Sequence, residues 1–186
     1  MSEGVEPGRV SSRRAYTGKV ISLDVDRVRI PDGSEGELEM IRHPGASAIV
    51  PFLSDPSGAD PQLLLIRQYR YAAERFIYEI PAGRLDEGES PEVCARRELL
   101  EETGCSAERM EHMLTMYTTP GFTDEKIHLY LATGLTFGES QRESDEFLTM
   151  ETVTLSRALA MVRAGEIQDA KTALGVLYAA GFVAGR

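Results

Sequence analysis

The segment from Gly83 to Gly104 constrains this chain more than any other stretch, because its two ends and its interior are satisfied together by a loop running into one short helix. Ser90 can cap that helix, Pro91 suits the first helical position, where its missing N–H costs nothing, and Gly104 supplies a left-handed stop. The helix is therefore predicted from about Pro91 to Thr103. Within it Glu98, Glu101 and Glu102 stand at i, i+3 and i+4, which puts three carboxylates on one face within about 6 Å of one another. Such a face repels itself unless cations neutralise it, and its hard oxygen donors suit Mg²⁺ or Mn²⁺ better than zinc. A solvated acidic surface is the plain alternative, since paired glutamates beside paired arginines are common on exposed helices.

Strand signals lie on both sides of the helix. Val20, Ile21, Leu23, Val25, Val28 and Ile30 mostly alternate, Pro31, Asp32 and Gly33 mark a turn, and Leu38, Met40 and Ile41 continue beyond it, which predicts an N-terminal hairpin or short antiparallel sheet. Further strands are expected at Ala48 to Leu53, Leu63 to Tyr69, Phe76 to Ile80, Met113 to Thr118, Ile127 to Ala132 and Leu148 to Leu155. Helices follow near Ser156 to Ala164 and Ala170 to Val183. Strands interrupted by helices packed on them, without a regular βαβ repeat, describe an α+β or layered sandwich. The first fourteen residues carry no apolar period and are expected to be a flexible tail.

Charge narrows the partners. Twenty basic residues against thirty acidic ones give 20 − 30 = −10, which argues against a groove that tracks nucleic-acid phosphates; a small anionic substrate would need metal ions to mask the repulsion. No apolar run approaches the roughly 20 residues that span a bilayer, and the start has no secretory apolar section, so the expectation is a soluble, cytoplasmic protein with no membrane partner. Cys94 and Cys105, about 16 Å apart if both lie on the helix, cannot bridge each other and are expected as reduced structural thiols.

The carboxylate segment resembles the Nudix box: Gly, five residues, Glu, seven residues, Arg-Glu, an aliphatic, any residue, Glu-Glu, any residue, Gly and an aliphatic. Gly83, Glu89, Arg97, Glu98, Leu99, Glu101, Glu102 and Gly104 fill its fixed positions, and Cys105 departs from the closing aliphatic. The resemblance implies a Nudix-type α/β/α sandwich with a mixed sheet. It makes Glu98 and Glu102 the principal Mg²⁺ ligands, with Mn²⁺ able to substitute, Glu101 a ligand or neighbour of the ligands, and the carbonyl of Ala82 a further ligand. Glu89 and Arg97 would brace the loop by an ion pair, and Gly83 would let the chain turn tightly into it.

Outside the box, Arg67-Gln68-Tyr69-Arg70, Glu79-Ile80-Pro81-Ala82-Gly83 and Thr119-Pro120-Gly121-Phe122-Thr123-Asp124-Glu125-Lys126 are similar to ADP-ribose pyrophosphatases. That similarity implies hydrolysis of ADP-ribose to AMP and ribose 5-phosphate by a metal-activated water. Arg70 would contact phosphate or sugar, or else be a surface arginine; Arg84 would approach through its backbone; Pro120 and Gly121 would line the substrate, although Pro120-Gly121 alone is only a turn, and Glu125 would contact the terminal ribose or a metal. The catalytic glutamate would be Glu146, or Glu143, in the acidic stretch Glu143-Ser144-Asp145-Glu146, which otherwise reads as a solvated turn, with Glu101 of the box counted beside them among the catalytic residues. The implied organisation is a tail at 1–14, a dimer-forming β extension at 15–44 with Tyr16 as a stacking or packing residue, and a hydrolase domain at 45–186. A broader sugar-nucleotide pyrophosphatase acting on ADP-glucose or GDP-mannose is the alternative enzyme, and a non-catalytic ADP-ribose sensor the alternative class.

Overall fold

Period-two burial organises the larger part of the chain. The structure, a computed structural model, describes residues 6–138 and 148–184. By internal contacts it divides into one unit of Met1–Gly45 with Tyr117–Lys126 and another of Ala46–Met116 with Ile127–Arg186.

In the second unit, strands β4 (Ala46–Pro51), β7 (Ala82–Arg84), β8 (Cys105–Tyr117) and β9 (Lys126–Phe137) form a sheet in the order β7-β4-β9-β8. β4 runs parallel to β9 and antiparallel to β7, so the sheet is mixed. Strands β5 (Gln62–Arg70), β6 (Arg75–Glu79) and β10 (Leu148–Thr154) form an antiparallel sheet in the order β10-β5-β6. Along β4 and just beyond it, Ala48, Val50 and Phe52 join a core that includes Ala158 and Met161 of helix α2 (Leu155–Ala164) and Val176 of helix α3 (Ala170–Tyr178). Ile49, between them, joins Ala95 and Leu99 of helix α1 (Pro91–Thr103) on the opposite face. Leu63 and Leu65 against Leu64, and Leu129 and Leu131 against Tyr130 and Ala132, alternate the same way. Alternate buried residues of these strands thus feed two cores, and an α/β/α sandwich follows, as the sequence pattern leads one to expect.

Helix α1 has the expected bounds for the expected reasons. The Ser90 hydroxyl accepts the Val93 amide at 3.4 Å, Pro91 occupies the first turn, and Gly104, at φ 70°, donates its amide to the Leu100 carbonyl at 2.8 Å. α3 ends earlier than expected, passing into a π-helical turn at Ala179–Val183. The three-residue β7 escaped the sequence pattern, and β8 is much longer than the Met113 to Thr118 segment.

The first unit is a three-stranded antiparallel sheet, β1 (Gly8–Thr17), β2 (Ser22–Arg29) and β3 (Glu35–Arg42), with the Pro31 to Gly33 turn where expected and Gly33 at φ 86°. Its first strand takes up residues 8–14 of the expected tail, which to that extent is corrected. β1 pairs with β2 along its length while every one of its residues is exposed, so no apolar alternation marks it. Thr123 forms a bridge to Ile41 at the end of β3.

Candidate active site

The buried stripe of α1 is Cys94, Ala95, Glu98, Leu99, Glu102 and Thr103, so two glutamates lie where a packed helix normally carries apolar residues. Glu98 is 8% and Glu102 3% exposed. Glu102 Oε2 accepts the Ala82 amide of β7 at 2.9 Å, which ties the helix to the strand that precedes the loop. The Glu98 carboxylate lies against the backbone of Gly83 so closely that a Cβ at that position would coincide with it. Gly83 has no left-handed φ. The expectation of a tight turn there is therefore corrected: glycine is required for the close approach of a carboxylate.

Arg97 is the hub of the loop. Its Nε and Nη2 each donate to Glu89 at 2.9 Å, its Nη1 donates to Glu98 at 2.5 Å and to Glu101 at 2.9 Å, and Nη2 also reaches the Arg84 carbonyl at 3.0 Å. The bidentate bond from Arg97 first, then the Asp86 amide and the Arg97 charge, outweigh burial and bring the Glu89 carboxyl from its ordinary 4.5 down to about 2. The same contacts, led by Glu89, hold Arg97 firmly protonated. Burial pushes the Cys94 thiol up to about 11, and its sulfur lies 3.5 Å from the Gly83 carbonyl, which fits a reduced structural cysteine.

The box residues Ala82, Gly83, Arg84, Glu89, Arg97, Glu98, Glu101 and Glu102 are thus brought together by β7, the loop and α1. Among the described residues no three His, Cys, Asp or Glu side chains already surround one point. Glu98 is instead oriented by Arg97 and by its packing on Gly83, and Glu102 by the Ala82 amide. Two buried carboxylates one turn apart, with room made by a glycine, are a donor set that could hold a hard divalent cation. Glu101 is more exposed, at 35% of its side chain, and faces Arg97.

Arg70 ends β5 with its guanidinium laid on buried Glu79, at 2.6 Å from Nε and 2.9 Å from Nη2. Glu79 also accepts Lys171 of α3 at 2.5 Å, and Lys171 pairs with Asp169 at 3.0 Å. Burial raises the Glu79 pKa, but Arg70 and Lys171 together bring it below the usual value. This network escaped the sequence reading, because only the position of Glu79 just ahead of the box hinted at it. The Arg84 side chain is exposed, and its carbonyl serves Arg97.

Pro120, Gly121 and Glu125 lie in the first unit, on a loop closed by the Phe122 and Thr123 amides, both 3.2 Å from the Thr119 carbonyl. Glu125 accepts the Thr118 hydroxyl at 2.8 Å and approaches His43 Nδ1 at 3.4 Å. That nitrogen already accepts the Gly45 amide, so it does not donate to Glu125. Nothing crowds Gly121. Glu143 and Glu146 lie outside the described residues.

Residues 43–173 match the NUDIX domain. The chain belongs to the Nudix hydrolase family. Among its Nudix relatives, the ADP-ribose pyrophosphatase of Bacillus subtilis (strain 168) is 39% identical over 95% of this chain and 94% of that protein. The methanol dehydrogenase activator of Bacillus methanolicus is also 39% identical, over 96% and 95%. A solved crystal structure of an ADP compounds hydrolase superposes with a TM-score of 0.82, covering 96% of this chain and 95% of that one at 20% identity, and so shares its fold. No helix among the described residues is long and apolar enough to cross a membrane.

Proposed function

We propose that this Nudix hydrolase cleaves the diphosphate of ADP-ribose to AMP and ribose 5-phosphate with Mg²⁺, or Mn²⁺ in its place. The observation that carries the reading is the pair of buried carboxylates Glu98 and Glu102 laid on Gly83 and the Ala82 amide. The 39% identity to the ADP-ribose pyrophosphatase of Bacillus subtilis supports the substrate. Glu98, Glu102 and the Ala82 carbonyl would hold the cation, with Glu101 beside them, and Gly83, Glu89, Arg97 and Gly104 would fix their frame. The chemistry supplied by a bound divalent ion is neutralisation of the diphosphate and acidification of the attacking water. Glu146, or failing it Glu143, accepts that water's proton. Arg70, Arg84, Pro120, Gly121 and Glu125 contact the substrate. The protein works as a cytoplasmic homodimer, its hydrolase domain at 45–186 preceded by a dimer-forming extension at 15–44.

The test is phosphate-monoester release from ADP-ribose, ADP-glucose and GDP-mannose, each with Mg²⁺ and with EDTA. ADP-ribose is expected to lead, and Glu102→Gln to lower kcat by about a thousandfold without changing the melting temperature by more than a few degrees. Wild-type turnover by Glu102→Gln would sink the metal assignment. A lead by GDP-mannose or ADP-glucose would move the substrate, and binding of ADP-ribose without turnover would mark a sensor. Comparing Glu146→Gln with Glu143→Gln identifies the base.

A further inference from the structure

The loop from Thr119 to Glu125 is fastened to the end of β3 by both backbone and side chains. The Ile41 amide donates to the Phe122 carbonyl at 2.8 Å, and the Asp124 amide donates to the Ile41 carbonyl at 3.3 Å. Asp124 then uses both carboxylate oxygens: Oδ1 accepts the His43 amide at 2.9 Å, and Oδ2 accepts Arg42 Nη1 at 3.1 Å. Arg42 is committed elsewhere in the same sheet, with Nε on Asp24 at 3.1 Å and Nη2 on Asp26. Asp24 and Asp26 are buried, at 6% and 4% exposure, and both stand on β2. One guanidinium therefore spends its three nitrogens on three carboxylates, two fixed in a sheet and one on a loop. A planar fork with rigid donor directions transmits position as well as charge, which a lysine cannot do.

We propose that Arg42 and Asp124 are positioning residues that fix the Pro120-to-Glu125 loop for its sugar-nucleotide substrate, so that the N-terminal sheet sets how tightly that substrate is held. The inference rests on the substrate role given to this loop above. It assigns a task to two residues that lie beside the proposed contacts without being among them. An ion pair with one partner 24% and the other 41% exposed adds little to stability by itself. Its consequence lies in the geometry of the loop, because binding weakens when a contact residue must be ordered at the moment of binding.

Asp124→Asn is the informative substitution, since its carbonyl can still accept the His43 amide while its NH2 faces the Arg42 donor. Arg42→Lys keeps the charge and loses the fork. In each variant the KM for the preferred sugar nucleotide is expected to rise about tenfold with kcat changed less than twofold, a pattern that loss of fold would not give. Amide hydrogen exchange at Phe122 to Glu125 should quicken in the same variants while the strands of the sheet keep their protection. The double variant should be no worse than the poorer single one. An unchanged KM in folded Asp124→Asn overturns the proposal, whether or not the loop exchanges faster, and so does a fall in kcat that matches the rise in KM. Wild-type protein that turns over no sugar nucleotide would bring down the substrate reading and this inference together. That outcome is recognised in the unmutated control, whereas failure of the positioning role alone shows only in the variants.

Discussion

Glu89 shows how one side chain can be judged by its partner. Both its oxygens receive Arg97, and its carboxyl is held near 2 against an ordinary 4.5. A carboxyl depressed on folding contributes stability that is fully present above the higher value and disappears as pH falls toward the lower one. Glu89→Gln should therefore lower unfolding free energy by about 1–3 kcal/mol at pH 7. Urea titrations of the two proteins should converge as pH falls from about 4.5 to about 2; a gap that persists unchanged to pH 2 would show that something other than the charged pair is lost. The Glu89–Arg97 brace was legible through the resemblance to the Nudix box, whose spacing one loop and one helix preserve. The fit of Glu98 onto Gly83 was not, because a close approach across a loop leaves no periodic trace. Nor was the Arg42–Asp124 pair, whose members are 82 positions apart and meet only through tertiary structure.

Among the elements, α1 could be read almost to the residue, since its cap, its proline and its terminal glycine are local signals. β1 could not: a strand exposed on both faces follows no burial rule, and only its pairing with β2 defines it. α3 carries a requirement that is equally silent in sequence. A Cβ at Gly175 would stand 2.8 Å from Val50 Cγ2 and 3.4 Å from Ile80 Cδ1, both side chains fully buried. Alanine is favoured over glycine in a helix by about 1 kcal/mol, but overpacking a closed core costs about 1–3 kcal/mol. The second effect should win, so Gly175→Ala is expected to be less stable by about 1–2 kcal/mol in urea denaturation. A stabilised variant would mean that α3 can shift away from β4 at little cost.

At the scale of the molecule, the first sheet and its turn leave Val10, Tyr16, Ile30 and Leu38 between 45% and 59% exposed. Apolar side chains on an uncovered sheet are a surface that a second copy could bury, and sedimentation equilibrium is expected to give twice the mass of the 20.5 kDa chain. Lys substitutions at Val10 and Leu38 together should shift that mass toward the monomer; a wild-type monomer at micromolar concentration would end the dimer proposal. The division of the chain has a practical corollary for anyone building chimaeras from it. Tyr117–Lys126, which joins β8 to β9, belongs by its contacts with Met1–Gly45 and not with the strands it connects. The N-terminal sheet is consequently not a cassette that ends at a single splice point. A graft that exchanges the first 45 residues with those of a relative and leaves the recipient's Tyr117–Lys126 behind divides one compact unit, so both stretches should travel together.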